Sequence, residues 1–153
     1  MSLNTLEEIA AYIVSEGKGI LAADESNPTC GKRFDSIGVE STENNRRDYR
    51  EMLFRSKGMK GNIGGVILFD ETIRQNAKDG TPLINIIEDQ GALPGIKVDK
   101  GLQPIGDSEE TVTVGLEGLD ERLKEYAAMG AKFTKWRAVI KIGDGMPSQE
   151  CID

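Results

Sequence analysis

The chain has 153 residues, enough for one domain with a core of its own. It carries 26 acidic and 19 basic residues, net −7, which argues against a nucleic-acid-binding surface and requires any anion site to be a local cluster of cations. There is no histidine, which excludes Ser-His-Asp and Cys-His triads and the imidazole ligands usual at catalytic zinc, so any chemistry must use Lys, Asp, Glu, Arg, Tyr or hydroxyls; no metal and no cofactor are expected.

Only two cysteines occur, Cys30 and Cys151, far apart, so no disulfide framework is implied and a reducing compartment suits the chain. No apolar run approaches the roughly 20 residues needed to span a bilayer. The N-terminal Met-Ser-Leu-Asn-Thr-Leu-Glu-Glu lacks a basic n-region and a signal-peptide core. The expectation is a soluble intracellular protein with no nucleic-acid or membrane partner.

In chain order, Thr5 opens a capping-box pattern closed by Glu8. Leu6, Ile9, Ala10, Ile13 and Val14 then follow helical spacing, with Gly17 as a stop. Gly19-Ile-Leu-Ala-Ala-Asp24 is a short apolar strand ending in an acid. Asn27-Pro-Thr-Cys-Gly31 reads as a loop from its turn residues. A polar helix is predicted from about Glu43 to Phe54, with Tyr49, Met52 and Leu53 as its buried stripe. After a Lys/Gly-rich turn, Ile63-Gly-Gly-Val-Ile-Leu-Phe69 is a second strand, followed by Asp70 and Glu71.

A helical stretch around Leu83 to Glu88 comes next, then a third strand, Gly95-Ile-Lys-Val-Asp-Lys-Gly101. Gly106 to Glu110 reads as a loop. Leu116, Leu119, Leu123 and Tyr126 or Ala127 mark a further helix ended by Gly130, and Phe133 to Ile142 reads as a fourth strand. Strands alternating with helices predict an α/β fold with a parallel sheet, whose C-terminal strand ends are the usual ligand edge. Neither Gly-x-Gly-x-x-Gly nor a P-loop is present.

The fourth strand poses a chemical problem. Side chains alternate across a strand, so Phe133, Lys135, Arg137, Val139 and Lys141 share one face. Lys97 and Asp99 repeat the pattern on the third strand, and Asp24 closes the first. In a parallel barrel these inward groups meet at the centre. Crowded ammonium groups ease proton transfer near neutral pH, a carboxylate among them shuttles protons, and Lys and Arg suit phosphate. The plainer reading is a buried salt-bridge network. It prevails for Lys141, as a snorkelling strand-end residue, and a solvated helix face is the plainer reading of Arg46, Arg47 and Arg50. For Asp24, Lys97, Lys135 and Arg137 the repeated pattern favours a site.

Several long motifs then carry a resemblance. Gly17-Lys-Gly-Ile-Leu-Ala-Ala-Asp-Glu-Ser26, Glu43-Asn-Asn-Arg-Arg-Asp-Tyr-Arg50, Ile63 to Phe69, Gly95 to Gly101 and Lys135-Trp-Arg137 resemble class I fructose-bisphosphate aldolase, in order along essentially the whole chain. The resemblance implies a (β/α)8 TIM barrel preceded by an N-terminal helix. It also implies reversible, metal-independent Schiff-base cleavage of fructose 1,6-bisphosphate to dihydroxyacetone phosphate and glyceraldehyde 3-phosphate. Asp24 would then assist carbon–carbon cleavage and carbinolamine turnover, and Lys135 would assist Schiff-base formation. Lys97 and Arg137 would bind phosphate or order the lysine cluster. Arg33, helped by Ser26, would bind a substrate phosphate, and Arg46 matches a position linked to substrate binding.

The departures are length and the segment Asn27 to Gly31, where the family commonly shows Thr-Gly and a small residue. A TIM barrel needs about 250 residues. Residues 1–153 are expected to form a single domain, the N-terminal half of the barrel with about the first four strands, without the half that carries the Schiff-base lysine. The alternative is a non-catalytic half-barrel that binds sugar phosphates or serves assembly. If full length, the protein is expected to be a homo-tetramer, cytoplasmic, or plastid-located if a transit peptide precedes it.

Overall fold

The computed structural model describes residue 3 and residues 5–153. Met1, Ser2 and Asn4, part of the stretch read above for a leader, lie outside the described residues. Helix α1 (Leu6–Ile13) is closed by the expected box: Thr5 Oγ1 accepts from the Glu8 N–H, and Glu8 accepts from the Thr5 N–H, each at 3.2 Å. Strand β1 (Gly19–Ala23) leads to α2 (Asn27–Asp35) and α3 (Glu43–Phe54). Strand β2 (Ile63–Leu68), the short α4 (Asp70–Ile73), α5 (Leu83–Asp89) and β3 (Leu93–Lys97) follow. A hairpin of β4 (Leu102–Pro104) and β5 (Thr111–Thr113) precedes α6 (Leu119–Ala128), β6 (Phe133–Lys135) and the single turn α7 (Gln149–Ile152).

The main sheet is parallel, in the order β1-β2-β3-β6. The fold is therefore α/β, as expected. Each strand joins beside its predecessor, as in a barrel wall, and the described residues supply four strands of an open sheet. The register separates two faces. Leu21, Ala23, Val66, Leu68, Pro94 and Ile96 share one. That face packs with Phe54, Leu83, Ile87 and Tyr126 into the main core, so the helices cover it. The opposite face carries Ala22, Ile67, Gly95, Lys97, Phe133 and Lys135.

Two glycines in the strands are required by close approach. A Cβ on Gly64 would lie 2.2 Å from the Ile13 carbonyl oxygen, and one on Gly95 would lie 2.3 Å from the Phe133 ring. Thus α1 lies against β2 and Phe133 lies over β3 only because these positions lack side chains.

Several expectations are corrected. Asn27 to Gly31 is helix, not loop: Pro28 sits in the first turn, where its missing N–H has no helical partner to lose, and Ser26 is the N-cap. Met52 is 63% exposed; Arg50 and Phe54 are the buried residues of α3. Leu116 is exposed and precedes α6. The third strand ends at Lys97 rather than Gly101, because the chain turns into the β4–β5 hairpin, whose tip holds the expected loop.

The fourth strand ends at Lys135, so Arg137, Val139 and Lys141 are not strand residues. Its only ladder partner, β3, stops at Lys97, and no other strand flanks it among the described residues. Ile140 and Ile142 are accordingly 61% and 86% exposed.

Candidate active site

Four parallel strands bring their C-terminal ends to one edge, and a cavity of about 790 Å³ opens there. Asp24 follows β1, Lys97 ends β3 and Lys135 ends β6, all on the face away from the main core. Asp24, Ser26, Lys97, Lys135 and Arg137 line this cavity. The structure thus brings together five of the seven residues singled out in the sequence. The outward face is apolar and packed under helices; the charged side chains lie on the opposite face, where Ile13 of α1 reaches Gly65 while Lys97 and Lys135 line the cavity at the C-terminal end.

Within the cavity the charges pair across strands. Lys135 Nζ donates to Asp24 Oδ2 at 2.9 Å, over a sequence separation of 111 residues. Lys97 Nζ donates to Asp99 Oδ1 at 2.6 Å and to the Asp99 carbonyl at 2.8 Å. Asp99 Oδ2 accepts the Arg137 N–H at 3.4 Å, so one carboxylate serves two cationic residues. Burial pushes the Asp99 carboxyl upward, but the Lys97 hydrogen bond and charge outweigh it and hold it below the usual carboxylate range. The salt-bridge reading is therefore correct for Lys97 and Lys135, and both pairs still face the cavity. The Arg137 guanidinium makes no ion pair among the described residues.

Ser26 shares a hydrogen bond of 3.1 Å with Thr29. Arg33 and Arg46 are not brought to the cavity. Arg33 is exposed, pairs with Glu25 and lies 3.2 Å from the Tyr49 hydroxyl. Its pKa is raised, first by the Tyr49 hydrogen bond and then by the Glu25 charge. Arg46 grips Glu71 with two bonds, Nε to Oε1 at 2.7 Å and Nη2 to Oε2 at 2.6 Å. This fork ties α3 to α4 and holds the Glu71 carboxyl below its usual range. Lys141 pairs with Glu109 on the hairpin rather than lying along a strand end.

Other cavity residues were not singled out in the sequence. Arg74 donates to Asp70 Oδ1 at 2.8 Å and to Glu125 Oε1 at 2.6 Å, linking α4 to α6. The Tyr126 hydroxyl donates to the same Asp70 oxygen at 2.8 Å. Burial pushes the Asp70 carboxyl up, but the Arg74 and Tyr126 bonds win and hold it low. The four-residue spacing of Asp70 and Arg74 was the available signal; the link to Glu125, 51 residues on, had none. Among the described residues no group of His, Cys, Asp or Glu could hold a metal ion, and no helix is long and apolar enough to cross a membrane.

Comparison with known proteins agrees with the motifs. A family model described as fructose-bisphosphate aldolase class-I matches residues 5–153. A probable fructose-bisphosphate aldolase class 1 of Xanthomonas campestris is 54% identical over 154 aligned residues, covering all of this chain and 46% of that protein. The cytosolic fructose-bisphosphate aldolase 6 of Arabidopsis thaliana is 55% identical over 144 residues, covering 94% of this chain and 40% of its own. The Plasmodium falciparum fructose-bisphosphate aldolase, solved with TRAP and a small-molecule inhibitor, superposes with a TM-score of 0.90 at 49% identity. That match covers 94% of this chain and 42% of that one. The chain thus spans less than half the length of these relatives.

Proposed function

Because the chain belongs to the class I fructose-bisphosphate aldolase family, we propose that its cavity is the N-terminal part of a sugar-phosphate aldolase site. Residues 1–153 then act as one domain, the first half of a (β/α)8 barrel. The observation that carries this reading is the Lys135–Asp24 pair, 2.9 Å apart at the C-terminal edge of a parallel sheet and open to a cavity. The reaction is reversible Schiff-base cleavage of fructose 1,6-bisphosphate to dihydroxyacetone phosphate and glyceraldehyde 3-phosphate. The attacking lysine belongs to the part of the family's chain that has no counterpart here.

In this reading Lys135 gives a proton to the carbinolamine hydroxyl as it leaves as water, and Asp24 orients that ammonium and takes part in returning the proton. The same carboxylate draws the proton from the hydroxyl next to the breaking carbon–carbon bond. Lys97 and Arg137 hold a phosphate, with Asp99 fixing the position of both. Ser26 adds a hydroxyl donor. Arg33 and Arg46 reach substrate only by leaving Glu25 and Glu71, so their role is to shape α2 and α3 until a phosphate competes for them. A homo-tetramer in the cytoplasm is the corresponding whole-protein state. The cytosolic Arabidopsis relative supports the location.

The test is an NMR titration of the chain with dihydroxyacetone phosphate. Saturable shifts at Lys97, Lys135 and Arg137, lost in Arg137→Ala, are expected. Shifts absent from these residues, or unchanged in Arg137→Ala, would remove the phosphate assignment.

A further inference from the structure

Arg137 presents a physical difficulty. A cation that holds a ligand needs a fixed backbone beneath it. Strand β6 ends two residues earlier, at Lys135, so no ladder holds Arg137. The chain that follows has no regular structure until α7. Both backbone polar groups of Arg137 are nevertheless taken. Its N–H donates to Asp99 at 3.4 Å, a long bond, and its carbonyl accepts the Thr113 hydroxyl at 2.7 Å.

Thr113 is itself well placed to hold something. It is the last residue of β5 and pairs with Leu102 across the hairpin. Beyond it the ladder continues: the Lys100 N–H donates to the Val114 carbonyl at 2.8 Å, and the Val114 N–H to the Gly101 carbonyl at 2.9 Å. Lys100, Gly101 and Leu102 line the same cavity as Arg137. Two further ties fasten this hairpin to the segment after β6. Lys141 pairs with Glu109, and the Ser148 N–H donates to Glu110 Oε1 at 2.9 Å. The hairpin therefore does for this irregular segment what a neighbouring strand would do.

We infer that Thr113 is a positioning residue for Arg137, and that its hydroxyl, delivered by the β4–β5 hairpin, fixes the backbone from which the guanidinium reaches a phosphate in the cavity. The inference rests on the reading of Arg137 as a phosphate ligand. Threonine suits the task, since its β-branched side chain fits a strand and its hydroxyl supplies one donor to one carbonyl.

The experiment compares Thr113→Val, which keeps the shape without the hydroxyl, with Thr113→Ser, which keeps the hydroxyl. The readouts are the Arg137 carbonyl 13C shift, backbone order at Arg137 and Ala138, the thermal midpoint, and affinity for inorganic phosphate. Thr113→Val is expected to shift the Arg137 carbonyl, loosen the backbone there and weaken phosphate binding roughly three- to tenfold. The thermal midpoint should stay near that of the parent chain, and Thr113→Ser should restore shift, order and affinity.

The inference is overturned if Thr113→Val leaves the Arg137 shift and order unchanged. It is equally overturned if the backbone loosens while phosphate affinity that depends on Arg137 stays intact. Arg137→Ala separates the two readings: if it leaves phosphate affinity unchanged, the phosphate reading fails. The Thr113 assignment is then decided by the carbonyl shift and backbone order alone.

Discussion

Arg50 is 2% exposed and sits where β1, α2 and α3 meet. Its Nε donates to the Ala23 carbonyl at 2.8 Å, Nη2 to the Glu25 carbonyl at 2.9 Å, and Nη1 reaches Cys30 Sγ at 3.2 Å. The Glu25 carboxylate lies 3.0 Å away without an aligned hydrogen bond from it. Arg50→Leu would keep the apolar volume but leave the Ala23 and Glu25 carbonyls without this donor and the Glu25 carboxylate with only Arg33 and Tyr49. The expected loss of stability is about 2–4 kcal/mol, from two buried carbonyls left without a donor, read as a lower urea midpoint. A loss under about 1 kcal/mol would mean that water reaches these groups. Sequence reasoning assigned Arg50 to a solvated face, since one arginine among three in a polar helix carries no sign of burial. It did better with Lys97 and Lys135. Their cations interrupt apolar strands at alternating positions, and such a pattern is visible from period alone. The Asp24–Lys135 contact followed only once both strand ends were placed at one edge.

Between elements, the clearest tie is Arg46–Glu71, which joins α3 to α4. The folded-state pKa of Glu71 is lowered, first by the Arg46 hydrogen bond. An unfolded glutamate titrates near about 4.3. The pair's stabilisation is therefore fully present above that value and is lost as pH falls through the lower folded-state value. Urea melts of the parent chain and Glu71→Gln from about pH 6 to about pH 3 should show a stability gap that closes on acidification. A gap that stays constant or widens would contradict the assignment.

At this scale legibility depended on length and chemistry. Helix α1 was readable from its Thr5–Glu8 capping box and the extent of α3 from its run of helix formers, but the buried stripe of α3 was not, since Arg50 and Phe54 are buried where Met52 is exposed. Helix α2 was not, because Asn27, Pro28 and Gly31 signal a turn when read singly. Only the Ser-x-Pro order reveals an N-cap followed by a first-turn proline. The hairpin was missed because its strands are three residues each and partly exposed, too short for alternation to show.

At the scale of the whole molecule, four strands of the described residues, in sequential parallel order, place Lys97 and Lys135 on a face that opens to the strand-end cavity. The α/β class was legible from the alternation of strands and helices. The length of the fourth strand was not, since it depends on partners that sequence periodicity does not specify. The central claim is that Asp24 and Lys135 serve a Schiff base formed on a lysine outside this chain. The most direct measurement mixes the chain with a polypeptide carrying the remainder of the Xanthomonas relative, adds dihydroxyacetone phosphate, reduces with borohydride and weighs both chains intact. The account predicts an adduct on the added polypeptide and none on this chain, with a yield at early times that falls about tenfold or more in Lys135→Met. A reduced adduct on this chain, or a yield that Lys135→Met leaves unchanged, would contradict it.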